Sequence, residues 1–179
     1  MVLLVASACG DPPDKELHQA QGAIDAARAA GAEEYAAAEL TAAQTSLGLA
    51  KEAVSQRDYR LALSHALDAG RSAQSAAREA ADQKALVRSE AERGIADLTA
   101  AVSEAGARVK TLRAARSAAA ALATAETTVT DVSRVLQEAR TALAGGKYVA
   151  ARDLMRGQLE RISAAITDLD NAATPRRRR

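Results

Sequence analysis

Residues 39–62 read ELTAAQTSLGLAKEAVSQRDYRLA, and residues 128–151 read TVTDVSRVLQEARTALAGGKYVAA. After a shift of 89 residues, eight apolar positions of the first stretch coincide in order and spacing with eight of the second. The pairs are Leu40 with Val129, Ala43 with Val132, Leu47 with Leu136, Ala50 with Ala139, Ala53 with Ala142, Val54 with Leu143, Tyr59 with Tyr148 and Ala62 with Ala151. Each stretch reads as a helix, a turn and the start of a second helix. The sequence therefore predicts two related helical hairpins.

The composition predicts an all-α protein. Alanine makes up roughly a quarter of the chain, Trp and Phe are absent, and only three prolines occur. Alanine is the best helix former, but it buries little apolar area, so we expect stability to come from helix propensity and close helix approach. The expected architecture is an elongated antiparallel helical bundle. Large apolar and aromatic side chains, which usually line small-molecule pockets, are scarce.

Helical spacing predicts a first helix over 15–30, ended by Gly31, and a second from about 33 to 54. No Pro occurs between Tyr59 and Pro175, which predicts one long helix over about 58–123. Within it, a short coiled-coil-like seam alternates steps of three and four residues: Ile95, Leu98, Val102, Ala105, Val109 and Leu112. Its flanks carry few charges, so we expect it to pack against another helix of the same chain.

Beyond the long helix, the cap-rich run over 124–131 predicts a turn. A helix over about 130–144 should follow, ended by Gly145 and Gly146, and a last helix should cover about 147–171. The expected organisation is a signal segment (1–8), a flexible spacer (9–14), a first helical hairpin region (15–85), a long connecting helix (86–123), a second hairpin (124–172) and a disordered basic tail (173–179).

The second turn is similar to the turn of a tetratricopeptide repeat. In such turns Gly permits the reversal, Tyr packs between the helices and Ala lets them approach. The residues predicted to pack the two turns are Tyr59, Ala62, Gly146, Tyr148 and Ala151. A solenoid of that family needs about three repeats with a period near 34 residues, whereas the period here is 89. The resemblance covers the turn alone.

Residue patterns for catalysis or metal binding are missing from the sequence. The two histidines, His18 and His65, lie far apart and belong to no HxxxH or HExxH motif. There is no glycine-rich phosphate loop. Four arginines end the chain, but without aromatic residues for base stacking they do not favour nucleic-acid binding. The sequence predicts a protein that is not an enzyme and needs no cofactor or metal.

The only cysteine, Cys9, follows an apolar run and the small residues Ala6, Ser7 and Ala8. Gly10 and the prolines that follow have the composition of a linker. The segment resembles the lipobox of bacterial lipoproteins, which implies that diacylglycerol is attached to the Cys9 sulfur and that the chain is cut just before it. Gly10 in place of Asp implies, in a Gram-negative cell, the periplasmic side of the outer membrane.

Two features depart from a lipoprotein signal. Ala6 stands where Leu is usual, and the apolar run is short and lacks a basic beginning. Two interpretations therefore stay open. The start of the chain is placed too late, or the first eight residues are the hydrophobic amino terminus of a cytoplasmic protein.

Residues 16–81 resemble bacterial lipoproteins of the domain of unknown function family 4398. The resemblance is carried by Ala20, the run 23–27 (AIDAA), the run 30–36 (AGAEEYA), Glu39, Leu40, Ala43, Leu47, Ala50, Asp58, Tyr59, Ala62 and Ala66. It implies an envelope-anchored helical module and carries no catalytic residues. Where the family tends to have Pro, this chain has Ala37, which predicts a softer first turn or more nearly continuous helices.

The expected function is that of a lipid-anchored envelope protein that binds or spaces without catalysis. It would be held to the membrane by lipid on Cys9, with an envelope protein or peptidoglycan as a partner. The first alternative is a soluble cytoplasmic coiled-coil adaptor or stress-protective helical protein. The second is a tetratricopeptide-like binder of a peptide or glycan.

Overall fold

The computed structural model describes residues 11–114 and 119–174, and every regular element in them is an α-helix. The helices are α1 (Asp14–Ala29), α2 (Ala32–Tyr35), α3 (Ala37–Ser55), α4 (Tyr59–Ala114), α5 (Ala119–Ala144), α6 (Tyr148–Leu154) and α7 (Gln158–Ala173). The predicted all-α helical bundle is confirmed. The chain divides into two compact units, residues 1–85 and 86–179, so α4 contributes to both. The predicted signal segment, Cys9 and the four terminal arginines lie outside the described residues.

The core of the first unit is built mainly of alanine. Nine of the twelve buried residues in its cluster are alanine, and Ile24, Leu40 and Leu47 are the other three. The part of α4 that belongs to this unit buries alanine alone, at steps of three and four: Ala62, Ala66, Ala69, Ala73, Ala76 and Ala80. Because these side chains stop at Cβ, the Ile and Leu side chains of α1 and α3 fill the space opposite them.

The core of the second unit uses larger aliphatic side chains. Its main cluster contains Leu98, Ala105, Val132, Leu136 and Ile162. Leu98 and Ala105 are the buried members of the predicted seam, while its other four residues are half-buried. All six pack against residues of α5 and α7, so the seam lies within one chain, as expected.

Two polar contacts show that α5 runs antiparallel to α4. Arg113 hydrogen-bonds to Glu126, and Arg140 donates to Thr99 Oγ1 over 2.7 Å. The later residue of α4 is therefore paired with the earlier residue of α5, as in an antiparallel pair of helices. This corrects the prediction of a single helix over 58–123. Helix α4 ends at Ala114, and α5 begins at Ala119 in the opposite direction.

The turn predicted over 124–131 is wrong, because these residues lie inside α5. The hydroxyl groups that suggested capping instead donate to the carbonyl oxygen four residues earlier, at Thr124, Thr127, Thr128 and Thr130. A hydroxyl satisfied in this way is compatible with the helix interior. Ala125 and Val132 are buried in the second unit, and that burial outweighs the low helix propensity of the segment.

Two helices predicted as continuous are interrupted. The last helix, expected over 147–171, breaks between α6 and α7, where Gly157 has a left-handed φ of 73°. The second helix, expected from residue 33, breaks at Ala36 (φ −148°, ψ 46°), which separates α2 from α3. The predicted stop at Gly31 is confirmed, since its φ is 95°.

Candidate functional site

The two turns that the sequence repeat predicted have the same hydrogen bonds. In the first, the Arg57 N–H donates to Val54 O and the Asp58 N–H donates to Ala53 O, both over 2.9 Å. In the second, the Gly146 N–H donates to Leu143 O over 3.0 Å and the Lys147 N–H donates to Ala142 O over 2.9 Å. Each pair is a Schellman motif that satisfies the last carbonyl groups of a helix. The repeat of 89 residues is therefore present in the backbone geometry.

The predicted turn residues fall into one set in each unit. Tyr59 begins α4 and Ala62 lies on its buried face, whereas Gly146, Tyr148 and Ala151 belong to the second unit. Ala62 and Ala151 are fully buried, and the two tyrosines are half-buried. Gly146 is exposed and supplies the left-handed φ of the turn, so it does not pack against the helices, and no ionisable group of this set is buried.

Tyr148 also contacts a cation. The guanidinium carbon of Arg88 lies 5.9 Å from the centre of the Tyr148 ring. Arg88 Nε donates to Glu92 over 2.8 Å, and this hydrogen bond and the charge of Glu92 raise the pKa of Arg88 above its ordinary value. The guanidinium therefore stays charged and joins α4 to the start of α6.

An open cleft of about 210 Å³ lies beside the break between α6 and α7. Gly94, Leu98, Met155 and Leu159 give it an apolar floor, and its rim is formed by Glu90, Arg152 and Arg156. Arg152 lies 3.8 Å from Glu90 and 3.2 Å from Asp153, and Arg156 lies 2.9 Å from Asp153. These carboxylates offset the rim cations, so the cleft does not favour a small anion.

The first unit exposes a row of leucine and arginine side chains on α4. We call it the leucine–arginine face, and it consists of Arg60, Leu63, Leu67, Arg71, Gln74 and Arg78. Leu67 is 51% exposed and Leu63 is 38% exposed. Leu67 also lines a shallow cleft against Glu16 and Ala20 of α1. This face was not among the sequence predictions, which did not consider Leu63 or Leu67. Positions 60, 67, 71 and 78 share one side of a helix with 3.6 residues per turn, and that spacing could have revealed it.

The described residues lack three features that would indicate a metal site, a buried charged site or a membrane-spanning segment. No three of their His, Cys, Asp and Glu side chains are grouped so that they could hold a metal ion. None of their polar or charged residues is buried. None of their helices combines the length and hydropathy needed to span a bilayer.

Cys9, the residue predicted to be lipidated, lies outside the described residues, but the chain just after it is placed. Pro12 O accepts a hydrogen bond from the Asp14 N–H over 2.9 Å, and Pro13 O accepts one from the Leu17 N–H over 3.0 Å. Pro13 is buried and α1 begins at Asp14. Comparison with protein-family models, curated proteins and solved structures gives no match to this chain.

Proposed function

We propose that this protein is a lipid-anchored helical module of the bacterial envelope that acts by binding or spacing. The observation that carries the proposal is the sequence over 6–9, Ala-Ser-Ala-Cys, placed a few residues before a fixed helix start. Small residues before a lone cysteine suit a lipoprotein signal peptidase, and the spacer leaves that cysteine close to the folded part.

The architecture of the described residues supports a binding or spacing role. Both units are helices around apolar cores, and their charged side chains form pairs at the surface. Surface pairs of this kind contribute little to stability, so the charged faces are available for contacts with other molecules. The partner we propose is an envelope protein or peptidoglycan, with outer-membrane placement on the periplasmic side.

The test is expression of the full chain and of its Cys9→Ser variant in a bacterium that processes lipoproteins. We expect the wild-type protein to fractionate with membranes and to show a mass increased by acyl chains on residue 9. The Cys9→Ser variant should lose both properties and keep the same far-UV circular dichroism spectrum. Two or three acyl chains exceed what stable anchoring requires, so the separation should be clear.

An unmodified wild-type mass, together with equal fractionation of both proteins, would overturn the anchor. It would instead support a soluble cytoplasmic adaptor whose first eight residues are merely apolar. Replacing Ser7 with Cys in the Cys9→Ser background is the matched control, because it restores a thiol without restoring the cysteine position that follows Ala8.

A further inference from the structure

We propose that the leucine–arginine face of α4 lies against the anionic headgroups of the membrane that carries the anchor. The inference rests on the proposed anchor at Cys9. It goes beyond that anchor because it assigns a second membrane contact to a folded surface. Arg60 and Arg78 are exposed and have no ion-pair partner among the described residues, while Arg71 pairs with Asp68. With Leu63 and Leu67 between them, the arginines give this face exposed apolar and cationic groups, and both kinds of group favour contact with an anionic membrane surface.

The length of the tether places this face near the bilayer. Four peptide bonds join Cys9 to the buried Pro13, so these two residues lie at most about 14 Å apart. Glu16, one turn beyond Pro13 on α1, lines the same cleft as Leu67 and Arg71. Lipid on Cys9 would therefore hold the bilayer surface close to Leu67 and Arg71. From Arg60 to Arg78 the face extends for about 27 Å along the helix.

Charge complementarity favours anionic lipid as the occupant. Acidic side chains outnumber basic ones over residues 11–85, yet three arginines of this unit fall on the one face. The acidic groups near it include Glu16, Asp68, which is paired with Arg71, and Asp82, which lies one turn beyond Arg78. Each exposed cation near an anionic surface favours binding.

The internal repeat shows that the fold does not require these leucines. At a shift of 89 residues, the positions of Leu63 and Leu67 are held by Arg152 and Arg156. Arg152 in α6 is half-buried, and Arg156, in the break after α6, is exposed, so neither equivalent position of the second unit holds an apolar side chain. At these two repeat positions, exposed leucines thus occur in the first unit alone.

The experiment uses the full chain with Cys9→Ser, which removes the only thiol and the anchor together. An environment-sensitive dye is attached through Leu67→Cys, and control proteins carry it through Leu86→Cys or Leu159→Cys, which replace leucines that are also exposed. With vesicles of phosphatidylglycerol and phosphatidylcholine, we expect the dye at position 67 to brighten and shift to shorter wavelength. Vesicles of phosphatidylcholine alone should produce little change, and neither control position should respond.

A second measurement tests the arginines. Replacing Arg60 and Arg78 by Gln should lower the vesicle partition constant about 25-fold, since each cation contributes about fivefold at an anionic surface. The charge-matched control Lys51→Gln with Arg93→Gln changes exposed cations off the face and should have a smaller effect.

The proposal is overturned if the dye at position 67 does not respond to anionic vesicles, or if all three positions respond alike. It is also overturned if the dye at position 67 responds to rising protein concentration without vesicles, because the occupant would then be a second copy of the chain. These outcomes are independent of lipidation, since Cys9 is absent from every protein used.

Discussion

Arg57 and Gly146 occupy the same left-handed position in the two repeated turns, with φ of 59° and 74°. Arg57 is the only described residue other than glycine with a positive φ. A side chain in this conformation costs about 1–2 kcal/mol, whereas glycine adopts it without that penalty. The second turn therefore has the residue that the geometry favours, and the first does not.

We expect Arg57→Gly to stabilise the protein by about 0.5–1 kcal/mol, because relief of the left-handed strain exceeds the extra entropy of glycine. The reverse change in the second turn, Gly146→Ala, should lower stability by about 1 kcal/mol. Urea unfolding followed by circular dichroism measures both. If Arg57→Gly lowered the unfolding midpoint, contacts of the arginine side chain would have to outweigh the strain.

A second prediction compares the two cores at equivalent positions. Ala73 and Ile162 are separated by the repeat distance and both are fully buried. Ile162→Ala should destabilise by about 2–5 kcal/mol because it leaves a cavity, and Ala73→Ile should destabilise by about 1–3 kcal/mol because the alanine core has no room for it. Thermal melts of the two variants would measure these losses. An unchanged melt for Ala73→Ile would mean that the first core contains unfilled space.

The third prediction concerns glycines within helices. A Cβ atom added at Gly106 meets nothing within 4 Å, so Gly106→Ala should stabilise α4 by about 0.5–1 kcal/mol. At Gly94 the added Cβ would lie 3.1 Å from Met155 Cε, so Gly94→Ala should gain less or lose stability. Gly22→Ala in α1, also in open space, is the control and should behave like Gly106→Ala. Equal gains at Gly94 and Gly106 would show that the Met155 side chain moves aside freely.

The fourth prediction concerns the tyrosines of the repeated turns. Tyr148→Ala and Tyr59→Ala should each lower stability by about 2 kcal/mol, since a half-buried ring is lost where two helices meet. Tyr148→Phe keeps the ring face beneath Arg88 and should melt close to wild type. Differential scanning calorimetry distinguishes the variants. Unchanged melting of Tyr148→Ala, with loss of a binding partner, would instead identify the tyrosine as a recognition residue.

The sequence predicted helices well where periodicity and glycine agreed. Gly31 and Gly146 end helices because only glycine adopts their φ without strain, and the apolar steps before them match the buried residues. The prediction failed over 124–131, where threonine and aspartate, which are typical helix caps, favoured a turn. Local propensity was the wrong guide there because burial of Ala125 and Val132 depends on α4 and α7, which are distant in sequence.

The break at Gly157 was not predictable from glycine alone, because Gly94 and Gly106 lie inside a continuous helix. The break at Gly157 is accompanied by a contact between the Met155 side chain and Gly94. These two residues are far apart in the chain, so the sequence does not reveal that contact. The leucine–arginine face was predictable in principle, since its spacing is visible in the sequence, but nothing in one sequence separates an exposed leucine from a buried one. The structure makes that distinction at Leu67.

The alanine face of α4 in the first unit also limits how this protein can evolve. A single base change in an alanine codon yields Val, Thr, Ser, Pro, Gly, Asp or Glu, and all of these except Gly enlarge the side chain, while Pro also removes a backbone N–H donor. Ala69, Ala73 and Ala76 are fully buried, so a larger group there would have to displace its neighbours, while Gly would weaken the helix. We therefore expect natural variation to collect on the outer faces of the first unit and in the aliphatic core of the second, where one branched side chain can replace another of similar volume.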